Sequence, residues 1–236
     1  MTITATQWNS EVSTTAVDKV ANWLRYSIIR GELVAGMHVS ETMVSKKLNV
    51  SATPVREAFR ILQAENLLIH NGYSGVSVAA ITPKYLHDIC EMRKILDFAC
   101  FDLIVEHITE SDLAKLDEII DELSSLAAAF CAQNIDAMES ADYFDTIELG
   151  FHAIIARFTG NYEIEAATRN LCKKAHIFRL AILSNAAVSD RLKRTIVELK
   201  DIVKALRQKD KAMYESAVTI HYRRSESESQ RLVSGG

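Results

Sequence analysis

Proline and glycine are scarce in this 236-residue chain, at 2 and 8 positions. So little turn punctuation argues against an all-β sandwich or barrel, and long stretches rich in Ala, Leu, Glu and Lys argue for helices. No run approaches the roughly 20 uninterrupted apolar residues of a membrane span. The first residues, MTITATQWNSEV, form neither a basic leader nor an apolar signal core. The expectation is a soluble, cytoplasmic protein. The four cysteines, Cys90, Cys100, Cys131 and Cys172, have no C-x-x-C spacing and fall inside apolar helical patterns. They read as small core residues, not as a disulfide frame or zinc knuckle. There is also no H-E-x-x-H, no phosphate loop and no nucleophile beside a base, so enzymatic chemistry finds no support.

What the chain does contain is core-forming material, with 48% hydrophobic and 25% charged residues. That suffices for one large or two modest domains, and two are expected. The net charge of −4 is unevenly divided: residues 1–80 carry +1 and the remainder −5. Between Lys46 and Arg60 four basic residues face one acid, a small cationic patch of the kind that meets phosphates.

Apolar positions Val17, Val20, Ala21, Leu24 and Ile28 recur at helical spacing from Ala16 to Arg30, and Gly31 stops the pattern. Ser40 is placed to cap a short second helix ending near Asn49. In residues 51–66, Thr53 is the expected cap and Pro54 suits the first turn. Val55, Ala58, Phe59 and Leu62 form the inward face, with Arg56 and Arg60 outside it. Leu67, Ile69, Val76 and Val78 then flank a polar turn from Asn71 to Gly75, which predicts a β-hairpin. Two short helices tightly linked, the second bearing exposed basic residues, have helix-turn-helix geometry, and the hairpin adds a wing.

Beyond Pro83 six helical patterns follow, over 84–106, 110–132, 135–158, 161–184, 189–208 and 211–228, and the serine-rich end SESESQRLVSGG reads as frayed. The predicted fold is mainly α: a winged helix-turn-helix over 13–80 and an all-α bundle of about six helices over 84–228. Glu148 and His152, four residues apart, share a helix face. His38, His70, His87 and His107 lack ligand spacing and read as surface or interface residues.

V-S-x-T-P-V-R-E-A at Val50 to Ala58 is preceded by Ser40-Glu41 and followed by G-x-x-V at Gly75 to Val78. With E-x-R at Glu91 and Arg93, F-H at Phe151-His152, T-G-N at Thr159 to Asn161 and the late His221, the chain resembles the GntR family of bacterial transcription regulators. The subgroup is the FadR-like one, with an all-helical C-terminal ligand-binding (FCD) domain. The resemblance spans about residues 15 to 225. It implies a cytoplasmic homodimeric DNA-binding regulator, a repressor rather than an enzyme, reading an inverted repeat in double-stranded operator DNA. A small-molecule carboxylate effector would alter the placement of the two winged domains.

The resemblance assigns DNA contact to Ser51, Thr53 and Arg56. The adjoining Ala52 and Arg60 and the wing tip Tyr73, Ser74 and Gly75 complete the expected DNA face. Ala52 and Ser74 stand where the family often has arginine, and Ala52 suits a thymine methyl instead. The resemblance also implies effector contacts at Arg93, His152 and His221, and a divalent transition metal (zinc, nickel, manganese or iron) on Glu148, His152 and His221. Leu199 occupies the position of a further histidine ligand, and a leucine cannot bind metal. Two readings of the histidine pair therefore stand side by side: a three-ligand metal site, or polar residues hydrogen-bonded without metal. His176 is a spare ligand candidate, and an ion pair is the alternative role for Arg93. A metal-free acyl-CoA sensor and a metal-dependent enzyme with a DNA-binding appendage are the competing functions.

Overall fold

The structure is a computed structural model that describes residues 15–29, 31–72, 75–80, 82–133, 137–181 and 188–234, with side chains for all but 29, 130–133, 137–145, 177–181, 188–189 and 228–234. The chain divides into two compact units between Thr82 and Pro83.

In the first unit, helix α1 (Ala16–Ile29) buries Val20, Ala21, Leu24 and Ile28, the stripe that its periodicity marks. Helix α2 (Glu41–Leu48) begins at Ser40, whose hydroxyl accepts from the Met43 amide at 3.1 Å, and ends at Asn49 in the left-handed region at φ 52°. Helix α3 (Ala52–Ala64) buries Val55, Ala58, Phe59 and Leu62 against α1 and α2. Its N-cap is Ser51 and not Thr53, which lies inside the first turn. The reason is that Ser51 already has the extended φ and ψ of a cap, so the helix starts two residues earlier. Arg25 grips Glu65 through Nε at 2.8 Å and Nη2 at 2.6 Å, fastening α1 to the end of α3.

Strands β1 (Leu68–His70) and β2 (Val76–Val78) pair antiparallel in the register Leu68 to Val78 and His70 to Val76. The Val39 amide donates to the Val76 carbonyl at 2.8 Å and the Val78 amide to that of Met37 at 3.0 Å, so the linker before α2 lines the hairpin's free edge. The inward residue of β1 is Leu68, while Ile69 points outward. Alternation counted from Leu67 misplaces it because Leu67 is still part of the helix exit, its amide bonded to the Leu62 carbonyl.

The second unit is a bundle: α4 (Pro83–His107), α5 (Glu110–Gln133), α6 (Ala137–Arg157), α7 (Tyr162–Ala181), α8 (Val188–Gln208) and α9 (Lys211–Ser234). Helix α6 touches α4, α5, α7 and α8 and is therefore interior. Its turn into α7 is built by the T-G-N motif, where Gly160 takes φ +67° and Asn161 Oδ1 accepts from the amides of Glu163 and Ile164. Helix α9 continues to Ser234, well past the frayed end that serine content suggests. Glu, Gln, Arg and Leu between the serines are good helix formers, and Ser227 Oγ donates to the Arg224 carbonyl instead of disrupting the turn. Cys90, Cys100 and Cys172 are buried and form no disulfide with one another, and the Cys131 side chain lies outside the described residues. Among the described residues no helix is long and apolar enough to cross a membrane.

Candidate functional site: a buried histidine pair and an exposed basic helix

Glu148 and His152 come from consecutive turns of α6 and meet His221 of α9. His221 Nε2 lies 3.2 Å from His152 Nε2 and 3.4 Å from Glu148 Oε1. All three side chains are buried, and their ligand atoms lie within 4.8 Å of one another. Two metal bonds of about 2.0–2.1 Å at a tetrahedral angle would separate their nitrogens by roughly 3.3 Å. Two imidazoles and one carboxylate are also a donor set that divalent transition metals accept. The residues present therefore fit a metal ion. The pair is equally a satisfied hydrogen bond when one nitrogen donates to the other.

Behind His221, Nδ1 lies 2.9 Å from Glu198 Oε2 on α8. Arg224 forks onto Glu198, Nε to Oε1 and Nη2 to Oε2 at 2.7 Å, and its Nη2 also reaches Thr195 Oγ1 at 2.8 Å. Burial raises the Glu198 carboxyl, but hydrogen bonds from His221 and Arg224 outweigh it and hold the group below the usual carboxylate range. Leu199 is fully buried and supplies no donor.

On the other side of the pair, Tyr222 packs its ring 5.8 Å from that of His152 and 5.2 Å from that of His221. Arg93 Cζ sits 4.7 Å above the Tyr222 ring, a cation–π contact. The Arg93 side chain is buried, and its Nε and Nη2 have no hydrogen-bond partner among the described residues. Burial works to lower its pKa, yet Cys172, Tyr222, Cys90 and Asp97 around it outweigh that and keep the guanidinium charged. The Tyr222 hydroxyl donates to Asp97 Oδ2 at 2.7 Å. Burial pushes the Asp97 carboxyl up, against the Tyr222 hydrogen bond and the nearby Arg93 charge.

Glu148, His152 and His221 are thus brought together, with Arg93 on the Tyr222 ring that packs against both histidines, while His176, half-buried on α7, is not part of the ligand group. Sequence reading missed Glu198, Arg224 and Thr195. His38, His70, His87 and His107 are exposed.

The other face is on α3. Ser51, Ala52, Thr53, Arg56 and Arg60 are all exposed on the side opposite the buried stripe. Ser51 makes no side-chain cap bond, so its hydroxyl is not committed to the helix. Arg56 Nε pairs with Glu41 Oε2 at 2.8 Å across the turn between α2 and α3, and both side chains stay open to solvent. In the wing, Gly75 has φ +80°, where an L side chain is strained, and a Cβ there would come within 2.7 Å of the His38 ring, which would have to shift. Tyr73 and Ser74 lie outside the described residues.

A winged helix-turn-helix with an open basic helix, followed by an all-α unit enclosing a polar cluster, is the architecture of a transcription regulator. The comparisons sharpen that class. Residues 16–78 match the bacterial regulatory proteins of the gntR family, and residues 88–224 match the FCD domain. The chain belongs to the GntR family of transcription regulators, in the FadR-like subgroup that carries an FCD domain, and it is not an enzyme. It is 29% identical over 165 residues to the gluconate operon transcriptional repressor of Bacillus subtilis, covering 70% of this chain and 63% of that one. It is 27% identical over 210 residues to the transcriptional repressor RspR of Escherichia coli, covering 89% and 86%. Among solved structures, Escherichia coli McbR/YncC superposes with a TM-score of 0.65 at 23% identity, over 92% of this chain and 98% of that one. That likeness bears on the fold alone.

Proposed function

We propose that this regulator is a homodimeric repressor that binds an inverted-repeat operator through α3 and the wing and responds to a small organic acid held in the helical unit. The observation that carries the reading is the placement of Glu148, His152 and His221, buried and ligand-ready, beside a buried Arg93 that still has donors to give. In this reading those three residues hold one divalent transition metal, which would act as a Lewis acid on an effector carboxylate oxygen. Arg93 offers its planar fork to the effector's other oxygens. A three-ligand set leaves more open positions than a four-ligand one, which favours chelating effectors such as hydroxy acids and dicarboxylates. The effector controls transcription only if it binds the DNA-competent and DNA-incompetent states with different affinity. At the operator, Arg56 makes a forked contact with guanine or phosphate, and Ser51 and Thr53 meet phosphate at the helix N-terminus.

One experiment tests both halves. Metal content is measured by elemental analysis on protein never exposed to chelator or nickel resin, and operator fragments are selected from the source genome by the same protein. About one metal per chain, lost in His152→Ala, together with operator binding that falls steeply with salt and disappears in Arg56→Ala, is expected. Absence of metal and of metal uptake would leave the histidine pair as a metal-free anchor. Operator binding unchanged in Arg56→Ala would overturn the assignment of α3.

A further inference from the structure

An imidazole has two nitrogens, and a metal needs the lone pair of one of them. His221 has a carboxylate on each side: Glu198 Oε2 is 2.9 Å from Nδ1, while Nε2 lies 3.2 Å from His152 Nε2 and 3.4 Å from Glu148 Oε1. A carboxylate accepts and does not donate. Were Nδ1 unprotonated, its lone pair would confront that of an oxygen at hydrogen-bond distance; Glu148 faces Nε2 at the longer 3.4 Å, so a single proton is held better on Nδ1, and a metal between Glu148 and His152 needs Nε2 bare.

Glu198 is itself immobilised. Arg224 holds both of its oxygens, and the same guanidinium is braced on Thr195, one turn before Glu198 on α8. The four side chains form a directed series: Thr195 Oγ1 and Glu198 accept from Arg224, and Glu198 accepts from His221. Each member comes from α8 or α9, the antiparallel pair joined by the turn at Lys209-Asp210.

We infer that Glu198 is the positioning residue of the histidine site, fixing His221 as its Nδ1–H tautomer with Nε2 ready to bind metal, and that Arg224 serves by locking Glu198. The inference rests on the metal reading proposed above. It also gives a physical answer to the leucine at 199. The chain has no donor at that position, and the neighbouring Glu198 reaches the back of His221 instead, orienting one ligand in place of adding another. Partners of this kind alter metal affinity by about 10–100-fold without touching the metal.

The test uses the full chain and two readouts. Long-range 1H–15N correlation of the imidazole nitrogens in metal-free protein, at a pH high enough for the ring to be neutral and with His221 assigned by its loss in His221→Gln, reports the tautomer. Cobalt(II) titration reports affinity and, through its visible spectrum, coordination. Expected are a protonated Nδ1 and bare Nε2 on His221 in the wild type, a mixture of tautomers in Glu198→Ala, and cobalt binding weakened about 10–100-fold in that variant. Glu198→Gln matches the shape and keeps an acceptor but no charge. It should retain the tautomer and lose affinity by less than the alanine variant. A wild-type His221 protonated on Nε2 overturns the inference, as does Glu198→Ala with unchanged tautomer and affinity. Should the alanine variant not fold, wild-type cobalt affinity in Glu198→Gln overturns the role of the charge. If the wild type takes up no cobalt, the metal reading fails by itself, and the tautomer measurement alone decides the role of Glu198.

Discussion

Tyr222 performs two tasks with one side chain: its ring face carries Arg93 and its hydroxyl serves Asp97. Asp97 is a buried carboxylate, and a buried acceptor deprived of its donor costs about 1–3 kcal/mol. Tyr222→Phe keeps the ring, so it should destabilise the helical unit by about that amount, read by chemical denaturation, while leaving the Arg93 stacking in place. Residues differ in how far they can be read from sequence. Glu148 and His152 are legible because their partnership is local, one helical turn apart. His221 is legible through the order of motifs. Glu198 is not, because a glutamate on a helix rich in lysine and arginine reads as solvated, and its partner is 23 positions away. Arg56 shows the converse: its exposure is readable from the apolar stripe opposite it, and an ion pair with a neighbouring acid is the sequence's alternative to DNA contact, but Glu41 as the partner is not readable.

Helix boundaries were legible where chemistry punctuates them. Asn49, Asn161 and Asp210 each mark an end or a start, and Asp210 Oδ1 accepts from the Met213 amide at 2.9 Å to open α9. The continuation of α9 to Ser234 was not legible from serine content alone. The packing of α6 on α7 has an electrostatic fastener. Glu165, in the first turn of α7, takes Arg157 from the last turn of α6 at 3.1 Å and Arg169 from its own helix. Burial raises the Glu165 carboxyl, yet the hydrogen bonds from Arg157 and then Arg169 prevail and hold it low. A carboxyl with a depressed folded pKa contributes stability above its unfolded value, near about 4.3, and loses it as pH falls through the folded value. Glu165→Gln should therefore cost up to about 1 kcal/mol at neutral pH, and the difference from wild type should shrink as the pH is lowered into the acid range. Denaturation midpoints at neutral and acid pH check the sign.

At the scale of the molecule, the division into a winged unit and a helical unit was legible from the change at Pro83, where short helices and a hairpin give way to long helical periods. What separates the two units is a boundary in packing, so damage should stay local. Leu62 is fully buried beneath α3, and Leu62→Ala should cost the first unit about 2–5 kcal/mol. Hydrogen exchange is expected to show lost protection over residues 15–82 and unchanged protection beyond Pro83, with operator binding lost and metal uptake kept. The pairing of His152 with His221, 69 positions apart, sets an order of events during synthesis. At roughly 5–20 residues per second, His221 leaves the ribosome on the order of ten seconds after the last residue of the first unit. A nascent chain therefore has its winged unit before its helical unit is complete. Every newly made chain passes through an interval in which the part that meets DNA is present without the part that follows it.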